Sequence, residues 1–168
     1  MTLTELNSQP ADQAFAVFLR CCGSQRWART MAERRPFDST DAVLHAAAEI
    51  WVTLDRPDWH EAFAAHPRIG DWKALRSRFA ATAELCAHEQ AGAAAADETT
   101  LQALAEGNRM YEDRFGHIFI VCAAGKSASE MLAILRERLA NEPEAEWLIA
   151  GREQALITRR RLESLWTT

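Results

Sequence analysis

A histidine, a glutamate and an arginine could together move a proton and hold an anion, and His66, Glu89 and Arg161 are the members of those types whose settings favour it. His66 stands immediately before Pro67, which fixes the direction of the chain after it, and Gly70 allows a tight turn soon afterwards. An imidazole so placed is a natural general acid or base, because it changes charge near neutral pH. Glu89 follows Leu75 by fourteen residues, and in an unbroken helix at ~100° per residue it returns to within about 40° of that leucine. A carboxylate on that buried face needs a partner, and a histidine or a bound polar ligand would serve. A solvated face suits Glu89 equally well from the pattern alone. Arg161 lies one position from Leu162 and three from Thr158, at the margin of an apolar stripe, where a guanidinium could face a pocket and grip a carboxylate through two hydrogen bonds.

The other reactive residues read as architecture. His45, His60, His88 and His117 show no metal-ligand spacing, and no H-x-x-x-H pair exists, so no metal site is expected. Cys21, Cys22, Cys86 and Cys122 include one adjacent pair and no C-x-x-C, which points to buried, reduced thiols. Gly125-Lys126-Ser127 resembles the end of a phosphate-binding loop, but that loop requires glycine where Ile120 stands, so the serine reads as a helix cap. Arg159 and Arg160 precede Arg161 near a helix C-terminus, where cations oppose the helix dipole.

Helices must position these groups. Alanine is frequent, and apolar residues recur at three- and four-residue spacing. Val43, Ala47, Ile50 and Leu54 form one stripe; Leu75, Phe79, Thr82 and Cys86 form another, leading to the alanine-rich stretch 91–96; Leu104, Asn108, Tyr111 and Phe115 form a third, closed by Gly116. Asp58 with Glu61 reads as a capping box opening a short helix through Phe63, ended by Pro67, which puts His66 at a helix terminus. Ser127 with Glu130 is a second capping box before Leu132, Leu135 and Leu139. Pro143 suits the first turn of a long final helix carrying Leu148, Ala155, Leu162 and Leu165. Ile118 to Cys122 alone has strand character. With nothing to pair with, it reads as a buried extended segment whose backbone finds partners in side chains, water or a ligand. The expected fold is all-α, a single-domain helical bundle over 1–168 with one buried extended segment at about 118–123.

With 168 residues, 48% of them hydrophobic and 26% charged, the chain is long enough for one packed core. The formal charge of −5 argues against nucleic acid as a partner. Met1 to Gln9 lacks the basic start and apolar run of a secretory signal, and no stretch approaches the roughly 18 to 20 apolar residues of a membrane span. A cytoplasmic protein that engages no membrane is expected.

The order and spacing of several short markers resemble one family, the 2-oxo-4-hydroxy-4-carboxy-5-ureidoimidazoline (OHCU) decarboxylases of urate breakdown. The markers are Arg35-Pro36-Phe37, His66-Pro67-Arg68-Ile69-Gly70, Glu89-Gln90-Ala91-Gly92, Asn108 with Tyr111, Arg114-Phe115-Gly116, and Thr158 with Arg161-Leu162. They run from about Phe15 to Leu165. The resemblance implies an all-α fold, His66 as catalytic residue with Glu89, and substrate contacts from Pro67, Arg161 and the run Cys86, Ala87, His88, Glu89 and Gln90. It also implies contacts along the extended segment, at Phe119, Ile120, Val121, Cys122 and Ala123. Many members have serine where this chain has Cys86, and a thiol caps a helix and donates a hydrogen bond poorly.

The implied reaction converts OHCU to (S)-allantoin without a cofactor, because the carboxylated carbon adjoins a conjugated ring that can accept the electron pair. His66, held by Glu89, would exchange a proton with the substrate hydroxyl while Arg161 orients an anionic or carbonyl oxygen. An ionised Glu89 nearby would raise the pKa of His66. The expected partners are that small molecule and, at most, a second copy of the chain in a homodimer. A lyase or hydrolase for another ureide, or a helical interaction module without catalysis, would share much of the same pattern.

Overall fold

The computed structural model describes residues 1–66 and 98–166. Eight helices form among them: α1 (Leu3–Ser8), α2 (Ala11–Cys22), α3 (Gln25–Glu33), α4 (Thr40–Thr53), α5 (Arg56–Ala64), α6 (Glu98–Phe115), α7 (Ala128–Arg138) and α8 (Pro143–Ser164). No strand occurs among the described residues, and the fold is all-α. The stripe from Leu75 to Cys86 lies outside the described residues, as does the alanine-rich stretch after it.

Local chemistry explains where the helices begin. Thr2, Ser24, Ser39, Asp55 and Ser127 each accept a hydrogen bond from a backbone N–H of the following first turn, satisfying donors that the helix leaves unpaired. The Ser127–Glu130 capping box forms as expected. The box at α5 is displaced by one turn: Asp55 is the cap and Asp58 its third-residue partner, with Pro57 in the first turn. The displacement leaves Glu61 free to act elsewhere. Its carboxylate accepts from the Gln25 backbone N–H at 2.9 Å and the Gln25 side chain at 2.8 Å, capping the start of α3.

The described residues fall into two compact units, 1–66 with 151–166, and 98–150. In the first unit α3 packs against α2, α4 and α5. Phe18 meets Trp27 and Phe37 edge-on, at 6.1 and 6.3 Å between ring centres, the offset arrangement that aromatic quadrupoles favour. Trp27 also donates to the Ala47 carbonyl at 3.1 Å, so this buried ring leaves no polar atom unpaired. Trp51 and Trp59 stack in parallel at 5.1 Å, and the Trp51 indole donates to the Gly151 carbonyl at 3.0 Å. Only glycine fits at 151, since a Cβ there would stand 2.3 Å from the Trp59 ring.

The second unit packs α6 on α7 around Leu104, Tyr111, Phe119, Val121, Met131 and Leu135. Leu104, Asn108 and Tyr111 are buried as the stripe requires, and Gly116 follows α6 with φ 73°. Residues 118–123 are neither helix nor strand, and Phe119 to Cys122 are buried. Side chains supply partners for the backbone here. Arg138 donates to the Ile120 carbonyl at 2.8 Å, and Lys126 to that of Cys122 at 2.8 Å.

The final helix departs from the expected stripe. Its buried row is Glu146, Ala150, Gln154, Thr158 and Leu162, four residues apart, whereas Leu148 is 54% exposed. Three of those five are polar, and of the expected stripe only Leu162 is fully buried, Ala155 and Leu165 being half-buried. In the second unit Glu146 is fully buried. Its Oε1 accepts from Arg138 Nε at 2.7 Å, from Arg138 Nη2 at 2.5 Å and from the Tyr111 hydroxyl, while Oε2 accepts from Asn141 at 2.7 Å. Arg138 also lies over the Phe119 ring at 4.7 Å.

Two outcomes follow from this cluster. Glu146→Ala strands a buried guanidinium and should cost about 3 to 5 kcal/mol of unfolding free energy, read from urea denaturation; a loss below 1 kcal/mol would show the cluster to be dispensable. Tyr111 is the chain's only tyrosine, and burial, followed by its bond to Glu146, raises its pKa above the ordinary 10.0. A raised folded pKa stabilises the fold below the unfolded value and is lost as pH climbs past it. Phenolate absorbance should therefore appear only together with loss of helical circular dichroism, above about pH 10. A phenolate titrating near pH 10 in a still-helical protein would contradict this.

Candidate functional site

His66 follows directly on α5, whose capping residue is Ala65, and its backbone N–H bonds to the Phe63 carbonyl at 3.1 Å. It is placed by a close approach between helix ends. Gly23 terminates α2 with φ 93°, and a Cβ on it would lie 2.5 Å from the Cβ of Ala65. Glycine is thus required twice over, for its left-handed backbone and for the space that lets the end of α5 sit against the end of α2.

The end of α2 carries carbonyl groups that its own helix cannot satisfy, and side chains of α8 take them up. Arg161 Nη1 donates to the carbonyls of Cys21 at 3.2 Å and Arg20 at 3.4 Å. Gln154, fully buried, donates from Nε2 to the Cys22 carbonyl at 3.3 Å and to the Thr158 hydroxyl at 3.2 Å. Both residues also reach the ring of His66: Gln154 Oε1 lies 2.7 Å from Nε2, and Arg161 Nη2 lies 3.4 Å from Nδ1. The cluster is half-open, with His66 and Arg161 partly exposed. Burial pushes the thiols of Cys21 and Cys22 up to about 11, against smaller opposing pulls from Arg161 at Cys21 and from hydrogen bonds to Ser24 and Thr158 at Cys22. At neutral pH they are uncharged, and so not nucleophiles.

A partly exposed imidazole beside a fixed guanidinium can exchange a proton with a substrate that the cation holds by its negative charge. Among the described residues no group of three or more His, Cys, Asp or Glu side chains could hold a metal ion.

Of the residues singled out from the sequence, His66 and Arg161 come together. Phe119 to Ala123 belong to the second unit, where two of their carbonyls are held by Arg138 and Lys126. Pro67, Cys86, Ala87, His88, Glu89 and Gln90 lie outside the described residues. Gln154 escaped the sequence reading. The signal was present, since it lies four residues before Thr158 and seven before Arg161, two helical turns back along the same face.

Several markers shared with the resembling family are structural. Arg35 donates to the carbonyls of Leu6 at 2.7 Å, Gln9 at 2.8 Å and Ala32 at 3.0 Å, tying down two helix ends. Asn7 clamps the backbone of Phe37 from both sides, at 2.8 and 2.9 Å. Asn108 bonds back to the Leu104 carbonyl at 2.8 Å within its own helix. His117 is a packed core histidine, its ring edge-on to Trp147 at 4.9 Å and to Tyr111 at 5.5 Å.

Comparison with known proteins gives a consistent result. The family model described as OHCU decarboxylase matches residues 7–163. A uric acid degradation bifunctional protein of Arabidopsis thaliana is 39% identical over 150 residues, covering 88% of this chain and 45% of that protein. The chain thus spans less than half of that bifunctional relative. A 2-oxo-4-hydroxy-4-carboxy-5-ureidoimidazoline decarboxylase of Amia calva is 36% identical over 132 residues, covering 78% of this chain and 74% of that one. A crystal structure of OHCU decarboxylase in the presence of (S)-allantoin superposes with a TM-score of 0.76 and 34% identity, covering 95% of this chain and all of the other. The match through nearly the whole chain, in sequence and in backbone, shows that it belongs to the OHCU decarboxylase family.

Proposed function

We propose that this chain decarboxylates 2-oxo-4-hydroxy-4-carboxy-5-ureidoimidazoline to (S)-allantoin in urate degradation. The observation that carries the reading is the pairing of His66 with Arg161 at 3.4 Å, a proton carrier beside an anion-binding cation in a chain of this family. The substrate is a carboxylate whose reacting carbon also bears a hydroxyl. Arg161 takes the anionic or carbonyl oxygen, and His66 takes the hydroxyl proton. The C–C bond breaks, carbon dioxide leaves, and the bond pair moves into the adjoining C=N system, which is then protonated. One proton is consumed overall for each carboxylate lost. Glu89 balances the positive charge that His66 takes up, while Pro67, Cys86 to Gln90 and the backbone of Phe119 to Ala123 complete the substrate contacts.

Because the ring accepts the electron pair, the chemistry needs no added electron sink. No helix among the described residues is long and apolar enough to cross a membrane. The three described cysteines are buried free thiols, which suits a reducing cytoplasm.

Freshly generated urate-oxidation product supplied to the purified chain should yield allantoin, with turnover surviving exhaustive chelation. Activity lost to a chelator and restored by a divalent metal would defeat the cofactor-free reading. His66→Ala should lower turnover by about 10²- to 10⁴-fold while the protein stays helical by circular dichroism; turnover within a few-fold of wild type would refute the assignment. Arg161→Ala should raise KM, because its grip serves ground and transition states alike, whereas Glu89→Gln should lower kcat and leave KM nearly unchanged. The reverse pattern would exchange their roles.

A further inference from the structure

One face of α8 reaches both nitrogens of the His66 ring, and the two contacts are chemically unequal. The orientation of the Gln154 amide is set by what lies behind it, since Nε2 donates to the Cys22 carbonyl and the Thr158 hydroxyl. Turned over, the amide would press its oxygen against the Cys22 carbonyl. Oε1 therefore faces His66 Nε2 at 2.7 Å, and an oxygen there requires a proton on that nitrogen. On the other side a guanidinium has only N–H groups to offer. Nδ1 therefore meets Arg161 as an acceptor, at 3.4 Å.

We propose that Gln154 is the positioning residue of His66, holding the ring as the neutral Nε2–H tautomer so that the Nδ1 lone pair, beside Arg161, is the atom that takes the substrate's proton. The catalytic half of this rests on the decarboxylase reading above; the tautomer is a property of the resting protein. In the transfer the substrate O–H bond breaks, an Nδ1–H bond forms, and the ring becomes an imidazolium. Its Nε2–H still donates to Gln154, so the ring does not rotate as it charges. Arg161 can no longer donate to Nδ1, and its N–H groups turn wholly to the carbonyls of α2 and to the substrate anion. Gln154 thereby couples three things in one buried amide: the end of α2, the Thr158 hydroxyl and the orientation of the base.

The test is nitrogen NMR on the full chain labelled at histidine, with His66→Ala identifying the resonances of position 66 among the five histidines. Without substrate, above the His66 titration, Nε2 should resonate as a protonated nitrogen and Nδ1 as an unprotonated one. A protonated Nδ1 with a bare Nε2 would overturn the proposal. Gln154→Leu should lower kcat about 10- to 100-fold with KM within twofold, through misplacement of the base, and should add no further loss to His66→Ala. Unchanged kcat, or an equal loss in the His66→Ala background, would show Gln154 to be packing only. Should the leucine variant fail to fold, Gln154→Glu decides the contact: a charged acceptor should move the Nε2–H proton resonance downfield, and an unmoved resonance overturns the proposal. A chain that leaves OHCU untouched would defeat the functional reading, while the ring spectrum still decides the tautomer.

Discussion

The interior face of α8 is polar, and each polar group buried there must find a partner or destabilise the fold by about 1 to 3 kcal/mol, more if charged. Glu146 is answered by Arg138, Tyr111 and Asn141. Gln154 is answered by Cys22, Thr158 and His66. Much of what surrounds the helix in each unit follows from that requirement. Arg138, drawn in to neutralise Glu146, has a further N–H to give, and it goes to the Ile120 carbonyl. The extended segment is thus held by the same residue that neutralises the buried carboxylate, and the backbone of 118–123 does without a neighbouring strand.

The same logic makes the end of α2 part of the site. A helix C-terminus concentrates unpaired carbonyls and partial negative charge. Arg161 and Gln154 satisfy those carbonyls, and in doing so they are fixed where they meet His66. A guanidinium anchored on one side by carbonyls keeps donors on the other for an anion, and pays little conformational entropy when one arrives. Preorganisation of this kind comes from backbone geometry more than from any residue that touches substrate. Gly23 is the clearest case, since its left-handed conformation and missing Cβ let the two helix ends close together.

Family markers in this chain therefore divide by physical role. Arg35, Phe37 with its partner Asn7, and Asn108 maintain helix ends and packing. His66 and Arg161 face one another at 3.4 Å, both partly exposed. The departure at Cys86 falls among the expected substrate contacts and not among these architectural anchors.

Helix identity was legible because it depends on local chemistry. The Ser127–Glu130 box, the glycine after Phe115, Pro143 at the start of α8 and the stripes over 43–50 and 104–111 all act within a few residues of themselves. Phe119 to Cys122 was legible as buried and non-helical for the same reason, through its β-branched and aromatic composition. His66 and Arg161 were recognisable by type and by their place in a family pattern. Local signals failed where two choices were equally good locally. Asp55 and Asp58 can each cap a helix, and the helix starts at the first, with Asp58 as its capping-box partner. The direction in which α8 turns its face was hidden because periodicity counts apolar residues, and this helix buries Glu146, Gln154 and Thr158 instead. Gln154 acquires meaning only when a carbonyl 132 positions earlier and an imidazole 88 positions earlier arrive on either side of its amide. The sequence by itself determined which segments are helical and which residue types could do chemistry; tertiary structure alone decided which polar groups meet, because their partners are distant in the chain and close only once the backbone has packed.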